Sequence, residues 1–192
     1  MKCYRKLKLA LSPDNKIYQD YKSFDCKQVQ VPGKIYPSTG TFKQADVPLK
    51  YFENEPIFDI MQELLLRPRV FLIEPKYCYN WHRDAWRNIA FNTTLNDDPN
   101  YFVAFAADCP PEKPYKSLGY ERTEEVRYEH TKFVLFNTQV PHISINMGNE
   151  PRYLLTIAHY GGPTGELKEG PASYDQFYKT VEYLKQRDLI LE

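Results

Sequence analysis

Fifteen prolines are spread along the 192 residues, and their spacing sets the first limit on the fold. A proline lacks a backbone N–H and disfavours the helical conformation of the residue before it. Long uninterrupted helices are therefore excluded over most of the chain. The pieces between the prolines are rich in Tyr, Phe, Val and Ile, which suit a pleated, half-buried surface. With 16 Tyr, 11 Phe and 42% hydrophobic residues, the chain has too much apolar material to stay disordered. Its length suits one domain over 1–192 with a core large enough to need no crosslinks.

Strand-like runs fall at 69–74, 77–81, 88–95, 101–106, 125–128, 132–136, 142–147 and 153–160. Short strands at this even spacing, divided by Pro, Asn and Asp, indicate a mainly β protein built as a sandwich or barrel. The count fits a double-sheet jelly roll with its core at 69–160. Two helices are expected to brace one outer face. In the first, Ile57, Ile60, Met61, Leu64 and Leu65 recur at helical spacing, and Pro68 is expected to stop it. The second spans 173–187, with Ser173 as N-cap, Gln176 three residues on, and Phe177, Val181 and Leu184 as its apolar face. Residues 1–50 read as irregular, with turn signals at 12–15, 32–33 and 37–40.

Charge balances at 25 basic and 25 acidic residues, which argues against nucleic acid as a partner. No stretch of about 18 apolar residues suggests a membrane span. The first sixteen residues lack the continuous apolar core of a signal peptide, so a soluble, cytoplasmic protein is expected. Cys3, Cys26, Cys78 and Cys109 include no C-x-x-C pair and read as ordinary thiols.

The chemistry centres on His82-Arg83-Asp84. In an extended chain residues i and i+2 face one side, so an imidazole and a carboxylate point at one place. Alone this is a weak signal. His142, 58 residues after Asp84, opens another strand-like run. Two His and one carboxylate occupy one face of an octahedral ion and leave three positions open, whereas a closed zinc site takes a fourth protein ligand. Arg152 follows ten residues after His142. It shares a strand face with Leu154, Thr156 and Ala158, where a guanidinium needs an anionic partner. Asn88 and Asn92 flank Ala90 at period-two spacing, and Asn92 is a candidate donor to the same ligand. Tyr79, Trp81 and Trp86 are candidates to line a substrate pocket. Arg83 and Arg87 either steer an acidic substrate or are solvated. His130 and His159 read as structural.

The order His82-Arg83-Asp84, His142, Arg152, in the contexts WHRDAWRNIAFNTTL and VPHISINMGNEPRYLLTIAHY, resembles the Fe(II)- and 2-oxoglutarate-dependent dioxygenases. It is similar to the aspartyl/asparaginyl β-hydroxylase-like and small bacterial or phage branches. The resemblance covers about 69–160 and implies a double-stranded β-helix (jelly-roll, cupin-like) core. It implies that His82, Asp84 and His142 ligate iron and that Arg152 binds the distal carboxylate of 2-oxoglutarate. It further implies an O2-dependent hydroxylase of a peptide or small-molecule substrate, releasing succinate and CO2. Two positions depart from the pattern. Leu154 stands where many members have Ser, and Asp84 is present where the mammalian-type aspartyl hydroxylases lack a metal-binding carboxylate. Two other readings stay open: a cupin-like hydrolase or isomerase using the same ligands with zinc or manganese, and a metal-free β-sandwich binding module.

Overall fold

A computed structural model describes residues 3–28, 42–84, 87–97, 99–109, 121–159 and 175–191. All eight expected strands form. They are β4 (Arg67–Ile73), β5 (Tyr77–His82), β6 (Ile89–Thr94), β7 (Tyr101–Ala106), β8 (Thr123–Val126), β9 (Lys132–Asn137), β10 (His142–Asn146) and β11 (Arg152–Ala158). From β4 to β11 the chain passes between two antiparallel sheets at each step except β7 to β8, which pair as neighbours. The larger has the order β1 (Tyr4–Ala10), β9, β6, β11, β4, β3 (Phe42–Asp46), β2 (Lys27–Gln28), and the smaller β5-β10-β7-β8. This path is a jelly roll.

The N-terminal region departs from the expectation of irregular chain. It supplies β1 (Tyr4–Ala10), the short helix α1 (Ile17–Asp20), β2 (Lys27–Gln28) and β3 (Phe42–Asp46). β1 pairs with β9 and β3 with β4, widening the large sheet on both sides. The turn signals at 32–33 and 37–40 lie outside the described residues.

Alternation gives the large sheet two apolar faces. Phe91, Leu135, Leu155 and Ile157 face outward and are covered by Ile57, Ile60 and Met61 of α2 (Ile57–Glu63) and by Phe177, Val181 and Leu184 of α3 (Asp175–Gln186). Phe71, Ile73, Ala90, Val134, Phe136 and Leu154 face inward, toward Tyr101, Val103 and Phe105 of the small sheet. Burying each large apolar side chain stabilises the fold by about 1.5–3 kcal/mol. Two layers of packing therefore hold the large sheet rigid behind the interior between the sheets. Among the described residues no helix is long and apolar enough to cross a membrane.

The first helix stops earlier than Pro68 requires. The Leu66 N–H donates to the Met61 carbonyl (2.8 Å) and the Leu65 N–H to the Gln62 carbonyl (3.3 Å), with Leu65 left-handed at φ 53°. This is a Schellman ending. It turns Leu65 out to 69% exposure and brings Leu66 into the core in its place. Pro68 then sits inside β4, opposite Ile157. α3 ends the same way, with Asp188 left-handed and Leu189 bonded back to Leu184; its expected N-cap, Ser173, lies outside the described residues.

A left-handed residue with a Cβ costs about 1–2 kcal/mol, and an exposed Leu65 gains little packing in return. Leu65→Gly is therefore expected to stabilise the protein by about 1 kcal/mol, seen as a higher urea midpoint at unchanged slope. A lower midpoint would contradict this account of the helix ending.

Candidate metal centre

β5 and β10 carry the two imidazoles, and their pairing decides where those point. Ser144 lies opposite Tyr79, but His142 lies opposite His82. β5 thus takes three steps where β10 takes two, a β-bulge. Without it, Tyr79 and Trp81 would face inward and His82 outward. With it, Tyr79 and His82 share the inner face, their rings edge-to-face at 4.4 Å. The rings of His82 and His142 come to 4.3 Å.

Just past the end of β5, Asp84 reaches the same point. Its Oδ1 is 3.7 Å from His82 Nε2, and its Oδ2 is 4.0 Å from His142 Nε2. The candidate ligand atoms of His82, Asp84 and His142 all lie within 4.8 Å of one another. Metal–ligand bonds near 2.1 Å set two donors on one octahedral face about 3.0 Å apart, so an ion would have to draw these side chains in by roughly 1–2 Å. The donor chemistry fits. His142 Nδ1 is 2.9 Å from the Val140 carbonyl, and a carbonyl only accepts, so Nδ1 carries the proton and Nε2 keeps its lone pair. Burial pushes the His142 pKa below its ordinary 6.5, against the opposing pull of Asp84 and the Val140 bond. The ring therefore stays neutral, as a ligand must be. Burial alone would raise the Asp84 carboxyl, but Arg87, His142 and His82 together hold it below the ordinary range.

These groups open into a cavity of about 430 Å³, mouth included, between the two sheets. Its walls carry Asn92 and Thr156, which face each other across β6 and β11. Asn92 Oδ1 and Thr156 Oγ1 are buried with no hydrogen-bond partner among the described residues. Arg152 does not line this cavity directly. It adjoins the lining through Ile73, its partner across the ladder, and Leu154, two residues along the same face. It is 1% exposed, with its guanidinium 5.3 Å from the Tyr101 ring centre. Burial pushes the Tyr101 hydroxyl up to about 12, so it remains protonated and able to donate.

The other candidates divide. Tyr79 lines the cavity beside His82. Trp81 is half-buried and absent from the described lining, because the bulge gives its place to His82. Arg87, read from sequence as meeting substrate or solvent, lines the cavity, grips Asp84 from Nε (2.6 Å) and Nη2 (3.3 Å) and lies over Phe71. Arg83 Nη2 is 3.6 Å from Cys109 Sγ. Asn88 contributes its carbonyl, to the Thr138 N–H, and is not part of the described lining. His130 packs on Tyr18, and His159 is exposed just past β11, both away from the cluster. Trp86 lies outside the described residues. Sequence reading passed over Tyr101, Thr138 and Thr156. The period-two pattern of β7 and β11 put Tyr101 and Thr156 on inner faces, but nothing local distinguished them from core.

No family model and no curated protein matches the chain. Solved structures do. A Pseudomonas putida prolyl-4-hydroxylase is 14% identical at a TM-score of 0.54, covering 82% of this chain and 92% of its own. A Trichoplax adhaerens prolyl hydroxylase, in complex with a hypoxia inducible factor peptide fragment, is 12% identical at a TM-score of 0.58, covering 83% and 84%. HygX from Streptomyces hygroscopicus, with nickel, 2-oxoglutarate and hygromycin B bound, is 9% identical at a TM-score of 0.56, covering 82% of each chain. The chain shares its jelly-roll fold with these proteins.

Proposed function

We propose that this protein is an Fe(II)- and 2-oxoglutarate-dependent oxygenase that hydroxylates a C–H bond of a peptide or small-molecule substrate, using O2 and releasing succinate and CO2. One observation carries the reading. Two imidazoles and a carboxylate converge in a jelly-roll cavity whose lining adjoins a buried guanidinium. The shared fold supports it, and the solved relatives include one with a peptide bound and one with a small molecule bound.

His82, Asp84 and His142 would hold the metal, which when bound supplies the activation of O2 and oxidation of the substrate. The three protein ligands sit on one side and leave the other positions for co-substrate and O2. Arg152 would fix the distal carboxylate of 2-oxoglutarate, with Tyr101 protonated beside it as a second donor. Asn92 and Thr156 offer polar atoms along the wall between the metal cluster and that end. Their buried, unmatched atoms are accounted for if a polar molecule seats there. Tyr79 would contact substrate at the His82 side of the cavity. A hydrolase or isomerase built on the same three ligands has no use for a buried guanidinium beside the cavity, so Arg152 favours the oxygenase reading.

Anaerobic addition of Fe(II) and 2-oxoglutarate to the metal-free protein is expected to produce the visible metal-to-ligand charge-transfer band of a chelated 2-oxo acid. A folded, iron-loaded protein without that band would overturn the proposal. Asp84→Ala is expected to abolish 2-oxoglutarate turnover. Arg152→Ala should leave metal binding intact and weaken 2-oxoglutarate binding by about 2 kcal/mol or more, roughly thirtyfold. Equal 2-oxoglutarate affinity in wild type and Arg152→Ala would remove the arginine from its role.

Metal affinity should fall as the medium is acidified, because a protonated imidazole has no lone pair to give. Burial holds His142 below its ordinary 6.5, so its own competition with metal begins only on the acid side of that value. A pH series of Mn(II) titrations reads this directly, and affinity rising toward acid would refute it.

A further inference from the structure

The segment that carries Asp84 is not held by a sheet. β5 ends at His82 and β6 begins at Ile89, so Asp84 and Arg87 lie between strands. What holds them is the turn between β9 and β10. Gln139 Nε2 donates to the carbonyl of Asp84 and to the carbonyl of Arg87, each at 3.0 Å. Both acceptors are carbonyls, so the amide orientation is settled by its partners, and both of its protons are used on this one segment. Thr138 adds three bonds. Its carbonyl accepts from the Asp84 N–H at 3.1 Å, its N–H donates to the Asn88 carbonyl at 3.3 Å, and its hydroxyl donates to the Arg87 carbonyl.

The same turn is itself braced and runs directly into the second imidazole. The Gln139 N–H donates to Asn137 Oδ1 at 3.2 Å, and three residues after Gln139 comes His142, bonded to the Val140 carbonyl. Arg87 is caught twice. Its guanidinium grips the Asp84 carboxylate, while its carbonyl is held by Thr138 and Gln139. A single carboxamide thus anchors the main chain of a candidate metal ligand and the main chain of the residue that orients that ligand.

We propose that Gln139 is a positioning residue that fixes Asp84 relative to His142, so that divalent-metal binding depends on a side chain that never touches the ion. The proposal rests on the metal reading above. Outer partners of metal ligands commonly change affinity by about 10–100-fold when removed, and Gln139 should fall in that range because both ligand segments meet at it.

The test is a Co(II) titration of the metal-free full chain, wild type against Gln139→Leu, followed by the visible d–d absorption of the bound ion. Thermal unfolding is recorded alongside, and the titration is run well below both midpoints. The expected result is about 10–100-fold weaker Co(II) binding in the variant with an altered band shape. Equal affinity and an identical spectrum overturn the proposal, and so does a lower midpoint with an unchanged spectrum, which is what a merely structural hydrogen bond gives. If Gln139→Leu does not fold, Gln139→Met, which keeps the side-chain length and loses both donors, is read by the same criteria. A wild-type protein that binds no Co(II) overturns the metal reading itself, and this proposal with it.

Discussion

Between Tyr79 and His82, β5 takes three steps while β10 takes two, and the interior chemistry depends on that mismatch. A strand alternates its side chains strictly between two faces, so one extra residue flips everything after it. Regular pairing would have left His142 facing an indole and sent His82 outward. The bulge instead brings the two imidazoles to 4.3 Å, tilted at 53°, and points the chain beyond β5 into the cavity, where Asp84 follows. The bulge sits on a strand at the margin of the small sheet, since among the described residues β5 has its ladder partner in β10 alone. An edge strand can absorb an irregularity that a central strand, bonded on both sides, resists.

The large sheet supplies the opposite property. β6 is buried at every position and β11 nearly so, because α2, α3 and the outer face of the sheet form one apolar layer and the inward faces form a second. A wall packed on both sides moves little. Asn92, Thr156 and Arg152 therefore stand on a rigid background, while His82 and Asp84 stand on an edge strand and an interstrand segment. That division explains why the ligand side needs so many bonds outside the ladders, from Thr138, Gln139 and Arg87, and the opposite wall needs none of them.

Much of this could be read from sequence, and the failures have physical causes. The eight jelly-roll strands were legible because each is a short aromatic or β-branched run cut by turn residues. The parity of β11 correctly put Arg152, Leu154 and Thr156 on one face. β1 was missed although its signal was present: buried Leu7 and Leu9 alternate with outward Lys6 and Lys8, a pattern obscured by the surrounding basic residues. β3 was not legible, because FKQAD has no apolar alternation and becomes a strand through its backbone pairing with β4 and β2. The stop of α2 was assigned to Pro68, the strongest local breaker, whereas a Schellman turn at Leu65 ends it first. His82, Asp84 and His142 could be named from residue type, the i, i+2 spacing and the order of motifs they share with a known family. Gln139 could not, since its role depends on a turn meeting a segment more than fifty residues earlier.

Arg87 carries a commitment that residue type and position did not reveal. Beside a candidate site a lone arginine reads as a hook for an acidic substrate, yet here it is committed to Asp84 by two bonds. That pairing removes one positive and one negative charge from the interior at once. Burial by itself would push the Asp84 carboxyl toward its protonated form, and the guanidinium beside it is the first of the charges that hold it below the ordinary carboxylate range. A buried carboxylate deprived of such a partner takes up a proton rather than stay charged, and a protonated carboxyl has lost the charge with which it would hold a cation. Arg87 thus belongs to the support of Asp84 as well as to the cavity wall.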